Sequence, residues 1–133
     1  MPSTIHLDRD IDALFEARQK LVRAGRECTA LTCQYLIRAE NPEAATPLSF
    51  LPICPKRYIK RSHERHKLQR WIKEALRASP QLAHAENLLK EKQLEVLLGI
   101  RIDRMPSKTV NWKSISSDME VMLGQLLWTI ERY

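Results

Sequence analysis

Apolar residues recur along most of this chain in steps of three and four, the spacing that gives an α-helix one buried face. From Asp8 or Asp10 to Arg38 the stripe is Ile11, Leu14, Phe15, Leu21, Val22, Cys28, Leu31, Tyr35 and Leu36. It predicts a first helix about 45 Å long at 1.5 Å per residue. Asp8 or Asp10 supplies a carboxylate for the free N–H groups at its start. Gly25 is the weak point, costing about 1 kcal/mol relative to alanine unless it marks the close approach of a neighbour.

The pattern then breaks. Asn41–Pro55 holds Pro42, Pro47, Pro52 and Pro55, each lacking a backbone donor and disfavouring helix in the residue before it. This stretch reads as a connection, yet Leu48, Phe50, Leu51 and Ile53 imply that it packs against the core. A second helix is expected over 56–78, with Tyr58, Ile59, Leu68, Trp71, Ile72, Ala75 and Leu76 on its buried side. Ser79-Pro80 is a restart signal, serine as cap and proline in the first helical turn. The third helix is expected from Pro80 to about Leu98, burying Leu82, Ala85, Leu88, Leu89, Val96 and Leu97, with Gly99 closing it. Residues 100–112 are ambiguous between helix, strand and loop. Ile100–Met105 alternates with period two, but a lone strand has nothing to pair with, so helix or irregular chain is favoured. Ser117-Asp118-Met119-Glu120 fits a capping box, opening a last helix with Met119, Met122, Leu123, Leu126, Leu127 and Ile130 on one face.

The expected architecture is an all-α bundle of four main helices, one domain over residues 1–133, with a proline-rich apolar connection after the first helix. Composition agrees with a globular chain, because 44% hydrophobic and 29% charged residues allow a core and exclude a disordered polymer. The presence of only 3 glycines argues against an antiparallel β-fold with many tight turns. No apolar run is long enough for a transmembrane helix, and the N-terminus lacks the basic and apolar segments of a secretory signal. An odd cysteine count of 3 without framework spacing points to a reducing, intracellular, cytoplasmic setting.

Charge changes the picture most. Lys56, Arg57, Lys60, Arg61, Arg65, Lys67, Arg70, Lys73 and Arg77 are offset only by Glu64 and Glu74, so 22 residues carry +7 while the whole chain carries +6. The remainder is nearly neutral. On a helix, Lys56, Lys60, His63, Lys67, Arg70 and Arg77 align along one side. A stripe of cations on a rigid rod suits a phosphate backbone, because each neutralised phosphate releases counterions. No base-reading code is evident, so low sequence specificity is expected. Tyr58 is a candidate stacking platform for a base; Trp71 reads as core.

Chemistry is otherwise sparse. Cys28 and Cys33 fall inside a predicted helix, and the cations around His63 and His66 repel a metal, so Cys28, Cys33, Cys54 and the histidines are not read as a zinc site. His63-Glu64-Arg65-His66 is one residue short of the zinc-protease spacing. No phosphate-binding glycine loop or nucleophile elbow occurs. The expected function is therefore a non-catalytic nucleic-acid-binding accessory subunit, without cofactor, metal or membrane partner. It would use the basic helix within a larger nucleoprotein complex alongside other protein subunits. The alternative is a helical protein–protein adaptor that offers its long first helix or the Met119 and Met122 face of the last helix to an acidic or helical partner.

Overall fold

The chain folds as an α/β structure, which overturns the all-α expectation. The computed structural model describes residues 3–5, 8–16, 31–39, 46–102, 105–106 and 110–133. In chain order the elements are β1 (Ser3–Thr4), α1 (Asp8–Glu16), β2 (Leu31–Ala39), β3 (Leu48–Ile53), α2 (Ser62–Ala78), α3 (Pro80–Lys92), β4 (Leu94–Ile102) and α4 (Trp112–Arg132). The strands form one mixed sheet in the order β1-β3-β4-β2. β3 runs parallel to β4, and β2 pairs antiparallel with β4 along its full length, from Leu31 opposite Ile102 to Ala39 opposite Leu94. Parallel neighbours need a long crossover, and the α2–α3 pair supplies it.

Side chains alternate across the sheet. Leu31, Cys33 and Ile37 of β2, Leu48 and Phe50 of β3, and Val96, Leu98, Ile100 and Ile102 of β4 meet α2, α3 and α4 in the main core. Leu97 faces the other way, with Ile5 and with Leu14 of α1, flanked by Ile11, Leu36 and Leu51. Gly99 is on this second face, where an added Cβ would come within 3.1 Å of Leu14 Cδ2. Its role is to admit α1, not to end a helix. Arg38 and Glu95, opposite each other in the register, are ion-paired on the same face, and Arg38 Nη2 also reaches Asp10 Oδ1 of α1 at 2.9 Å. Gln34 Nε2 donates to the carbonyl of Leu14 at 2.9 Å. These contacts tie both halves of a short helix to the sheet.

Each departure from the expected elements has a physical origin. The predicted first helix resolves into α1 and, from Leu31, strand β2; residues 17–30, with Gly25 and Cys28, lie outside the described residues. β2 buries Leu31, Cys33 and Ile37 on one face and leaves Thr32, Gln34, Leu36 and Arg38 half-buried on the other. Its period of two is masked because Leu31 and Tyr35 also continue the upstream stripe in a step of four, and Leu36 interrupts the alternation. The apolar part of Asn41–Pro55 is β3; residues 41–45 lie outside the described residues. Pro52 is tolerated because β1 pairs only with Ser49 and Phe50. Ile5 donates to the carbonyl of Phe50 at 2.8 Å, so residues two apart from Phe50 point their backbone groups the same way, and Pro52 lacks its N–H on a side where β1 has already ended.

α3 starts as Ser79-Pro80 predicts, with Ser79 Oγ accepting from the Gln81 amide at 3.2 Å. It ends at Lys92 rather than near Leu98, because Gln93 turns left-handed at φ 57° and ψ 46°. β4 follows and runs through the ambiguous 100–102 stretch, which is strand. α4 starts at Trp112, not Ser117: Asn111 and Ser114 make the reciprocal capping box, with the Ser114 amide donating to Asn111 Oδ1 at 2.9 Å. The shortage of glycine misled because the described connections are helices and loops rather than tight hairpins. Gln93 is the one described non-glycine residue with positive φ.

A side chain at that φ is strained by about 1 kcal/mol relative to glycine. Gln93→Gly is therefore expected to raise the thermal unfolding midpoint, corresponding to about 1 kcal/mol of added stability. An unchanged or lower midpoint in calorimetry would show that the turn carries no such strain.

Candidate nucleic-acid interface

Helix α2 presents its apolar face to the core through Leu68, Ile72, Ala75 and Leu76, as the spacing predicts. Its opposite face follows from the same geometry: His63, His66, Arg70, Lys73 and Arg77 succeed one another in steps of three and four and form a single stripe. His63, His66, Arg70 and Arg77 are exposed and Lys73 is half-buried. Lys67 is exposed beside the stripe, with its ammonium 5.0 Å from the centre of the Trp71 ring.

The helix is shorter at its start than 56–78. Residues 56–58 form a turn in which the carbonyl of Pro55 accepts from the amides of Tyr58 and Ile59, both at 3.1 Å. Lys56, Arg57, Lys60 and Arg61 therefore precede the helix. Lys56 and Lys60 do not extend its stripe; they cluster, exposed, around its N-terminal end. Arg61 is the N-cap residue and makes no side-chain cap. Cations at the positive end of a helix dipole are unfavourable for the helix itself, so this placement contributes nothing to local stability.

Arg65 differs from the rest. Its Nη1 donates to the carbonyls of Ile59 at 3.0 Å and Lys60 at 2.9 Å, stitching the turn onto the first helical turn. Of the nine cations, Arg70 alone has a carboxylate partner among the described residues: Glu74 Oε1, at 3.8 Å and exposed. Exposed pairs of this kind hold side chains weakly. Arg57 lies 4.8 Å from the Tyr58 ring centre, and Arg77 lies 5.9 Å from that of buried Phe50. Most of the surplus charge therefore sits on the surface, and among the described residues Glu74 is the one carboxylate that pairs with it.

Tyr58 and Trp71, which the sequence separates into a platform and a core residue, are both half-buried and line one groove of about 360 Å³. Lys60, Glu64 and Lys67 line it too, as do Met105, Pro106 and Val110 from beyond β4. Those last three escaped the sequence reading, because no local pattern links the chain after β4 to the turn before α2.

Cys33 and Cys54 are buried. Burial pushes the Cys33 thiol up to about 12, and does the same to Cys54, where the Arg65 charge pulls only partly back. Both are neutral thiols that act as small apolar side chains. Among the described residues no cluster of three or more potential metal ligands occurs, and no helix is long and apolar enough to cross a membrane. Met119 and Met122 are buried in the main core and so offer no groove to a partner.

The fold is similar to that of the RNase P protein from Thermotoga maritima, with a TM-score of 0.52 and 14% sequence identity over 98% of this chain and 97% of that one. At this identity the likeness is one of fold. No family model matches the sequence, and no curated protein matches it.

Two outcomes follow from these contacts. Arg65→Ala is expected to lower stability by about 1–2 kcal/mol, since two carbonyls lose a charged donor, whereas Arg70→Ala leaves the denaturation midpoint nearly unchanged. Equal effects of the two would remove the distinction drawn between them. In a Cys28→Ser background, Cys33 and Cys54 should resist a thiol reagent in the native protein and react fully in denaturant. Because their folded values lie near 12 against an ordinary 9.0, stability is undiminished below about pH 9. It falls as pH rises from there toward 12, where only the unfolded chain releases the protons.

Proposed function

We propose that this chain is a non-catalytic RNA-binding accessory subunit of a ribonucleoprotein, gripping phosphates through the exposed cations of residues 56–77. The observation that carries the reading is that seven of the nine, Lys56, Arg57, Lys60, Arg61, Lys67, Arg70 and Arg77, are exposed, and Glu74 is the one carboxylate that engages any of them among the described residues. Arg70, Lys73 and Arg77 share one side of a rigid helix, and Lys56, Arg57, Lys60 and Arg61 extend the positive surface past its start. Such a surface meets a polyanion by counterion release and reads little sequence. RNA is favoured over DNA by the shared fold with a protein named for a ribonuclease.

Assembly with protein subunits has support of its own. Helix α4 and its end expose Val121, Trp128 and Tyr133 at 49%, 57% and 60%, away from the basic stripe in sequence. Large apolar side chains exposed to this degree suit a protein neighbour better than a phosphate backbone.

The test is the salt dependence of RNA binding. Combined Arg70→Ala, Lys73→Ala and Arg77→Ala should weaken binding and make the slope of log K against log salt shallower by about 2 to 3, as each lost phosphate contact removes about 0.7–0.9. The helical circular-dichroism signal should be preserved. A parent-like slope in the triple variant, or tighter binding to DNA of the same sequence, would falsify the reading.

A further inference from the structure

We propose that the groove between the start of α2 and the chain after β4 receives one unpaired nucleobase of the bound RNA. The inference rests on the RNA-binding reading and deepens it, from a surface that grips backbone to one that also selects strands with an unpaired nucleotide.

Size and lining both favour a base. The groove's volume, about 360 Å³, lies at the small end of ligand pockets, which begin at about 300 Å³. Two of its walls are the half-buried rings of Tyr58 and Trp71, and every base has a π-face to set against such rings. Leu68 and Ile59 are buried residues of the same lining, so part of its surface is apolar. A ring entering here removes apolar area from water on both partners.

Charge distinguishes base from phosphate. Lys60 and Lys67 are exposed residues of the lining, positioned to meet the phosphates on either side of an inserted nucleotide. Lys67 already lies over Trp71, with Nζ 5.0 Å from the ring centre, which brings a cation next to the stacking surface. Glu64, by contrast, is half-buried in the same lining. Its carboxylate repels a phosphate entering the groove, yet accepts hydrogen bonds from the N–H groups on a base edge. Cations outside and an acceptor within fit a nucleotide that turns its base inward and keeps its backbone on the basic surface. A regular duplex cannot offer this; a bulge or loop can.

The probe is a short RNA duplex compared with the same duplex carrying one bulged adenosine, titrated into the full chain with Trp112→Phe and Trp128→Phe, so that Trp71 is the sole tryptophan. The expected result is binding of the bulged RNA about tenfold tighter than the duplex, with quenching of Trp71 fluorescence by the bulged RNA alone. Trp71→Leu, which keeps an apolar side chain at the core margin, should abolish the preference while leaving duplex affinity in place. Should that variant fold poorly, the quenching in its parent still decides. Equal affinity for the two RNAs, equal quenching, or a preference that survives Trp71→Leu overturns the base pocket and leaves the backbone reading intact. Absence of binding to either RNA overturns both.

Discussion

Strand β4 is the constraint from which the rest of this structure follows. Its side chains are buried from Glu95 to Ile100 on both faces, and it is paired along both edges, with β3 and with β2. A strand in that position needs a layer on each side. α2, α3 and α4 provide one against Val96, Leu98, Ile100 and Ile102, and α1 provides the other against Leu97. The parallel pairing with β3 cannot be closed by a hairpin, so the chain must cross the sheet between the two strands. The crossover is α2–α3, and it is α2 that displays the cations. The basic surface is positioned by the sheet rather than by the helix alone.

The second face is the less secure layer, since α1 has only nine residues and isolated helices of that length are marginal in water. Polar contacts compensate. Arg38 joins buried Glu95 to Asp10, and Gln34 engages the carbonyls at the far end of α1. A buried carboxylate without its partner is costly, which makes Arg38 a determinant of where α1 sits. Gly99 completes the arrangement by leaving room for Leu14. Packing, pairing and one small residue together define the layer.

Function divides among the cations by what each touches. Arg65 serves the fold, holding the turn that precedes α2. In the helix stripe and the cluster around its start, Arg70 meets Glu74 and Arg57 and Arg77 meet rings, and these exposed cations leave their charge at the surface. The groove lies where these meet, walled by rings from the turn and from the helix. In the proposed function the charged rod would grip a phosphate backbone, and the aromatic recess beside it would take an unpaired base.

The sequence by itself determined the concentration of charge and the buried face of α2. The step of three and four that places Leu68, Ile72, Ala75 and Leu76 inward is local, and so is the Ser79-Pro80 boundary. It could not determine the sheet. Leu94–Ile102 is buried on both faces, so its apolar residues lack the alternation that marks a half-exposed strand. In Leu31–Ala39 the step of four from Leu31 to Tyr35 continues the stripe before it, and beside genuine helices both read as more of the same. Pro52 belongs in a strand only because β1 stops after two residues, and Ile100–Ile102 belongs in one only because β2 and β3 lie beside it. The groove depends equally on chain separation, with Pro106 and Val110 lining the same recess as Tyr58. Periodicity and charge are properties of neighbours in the chain, whereas strand pairing and the walls of a recess are properties of neighbours in space, and those only the tertiary structure decided.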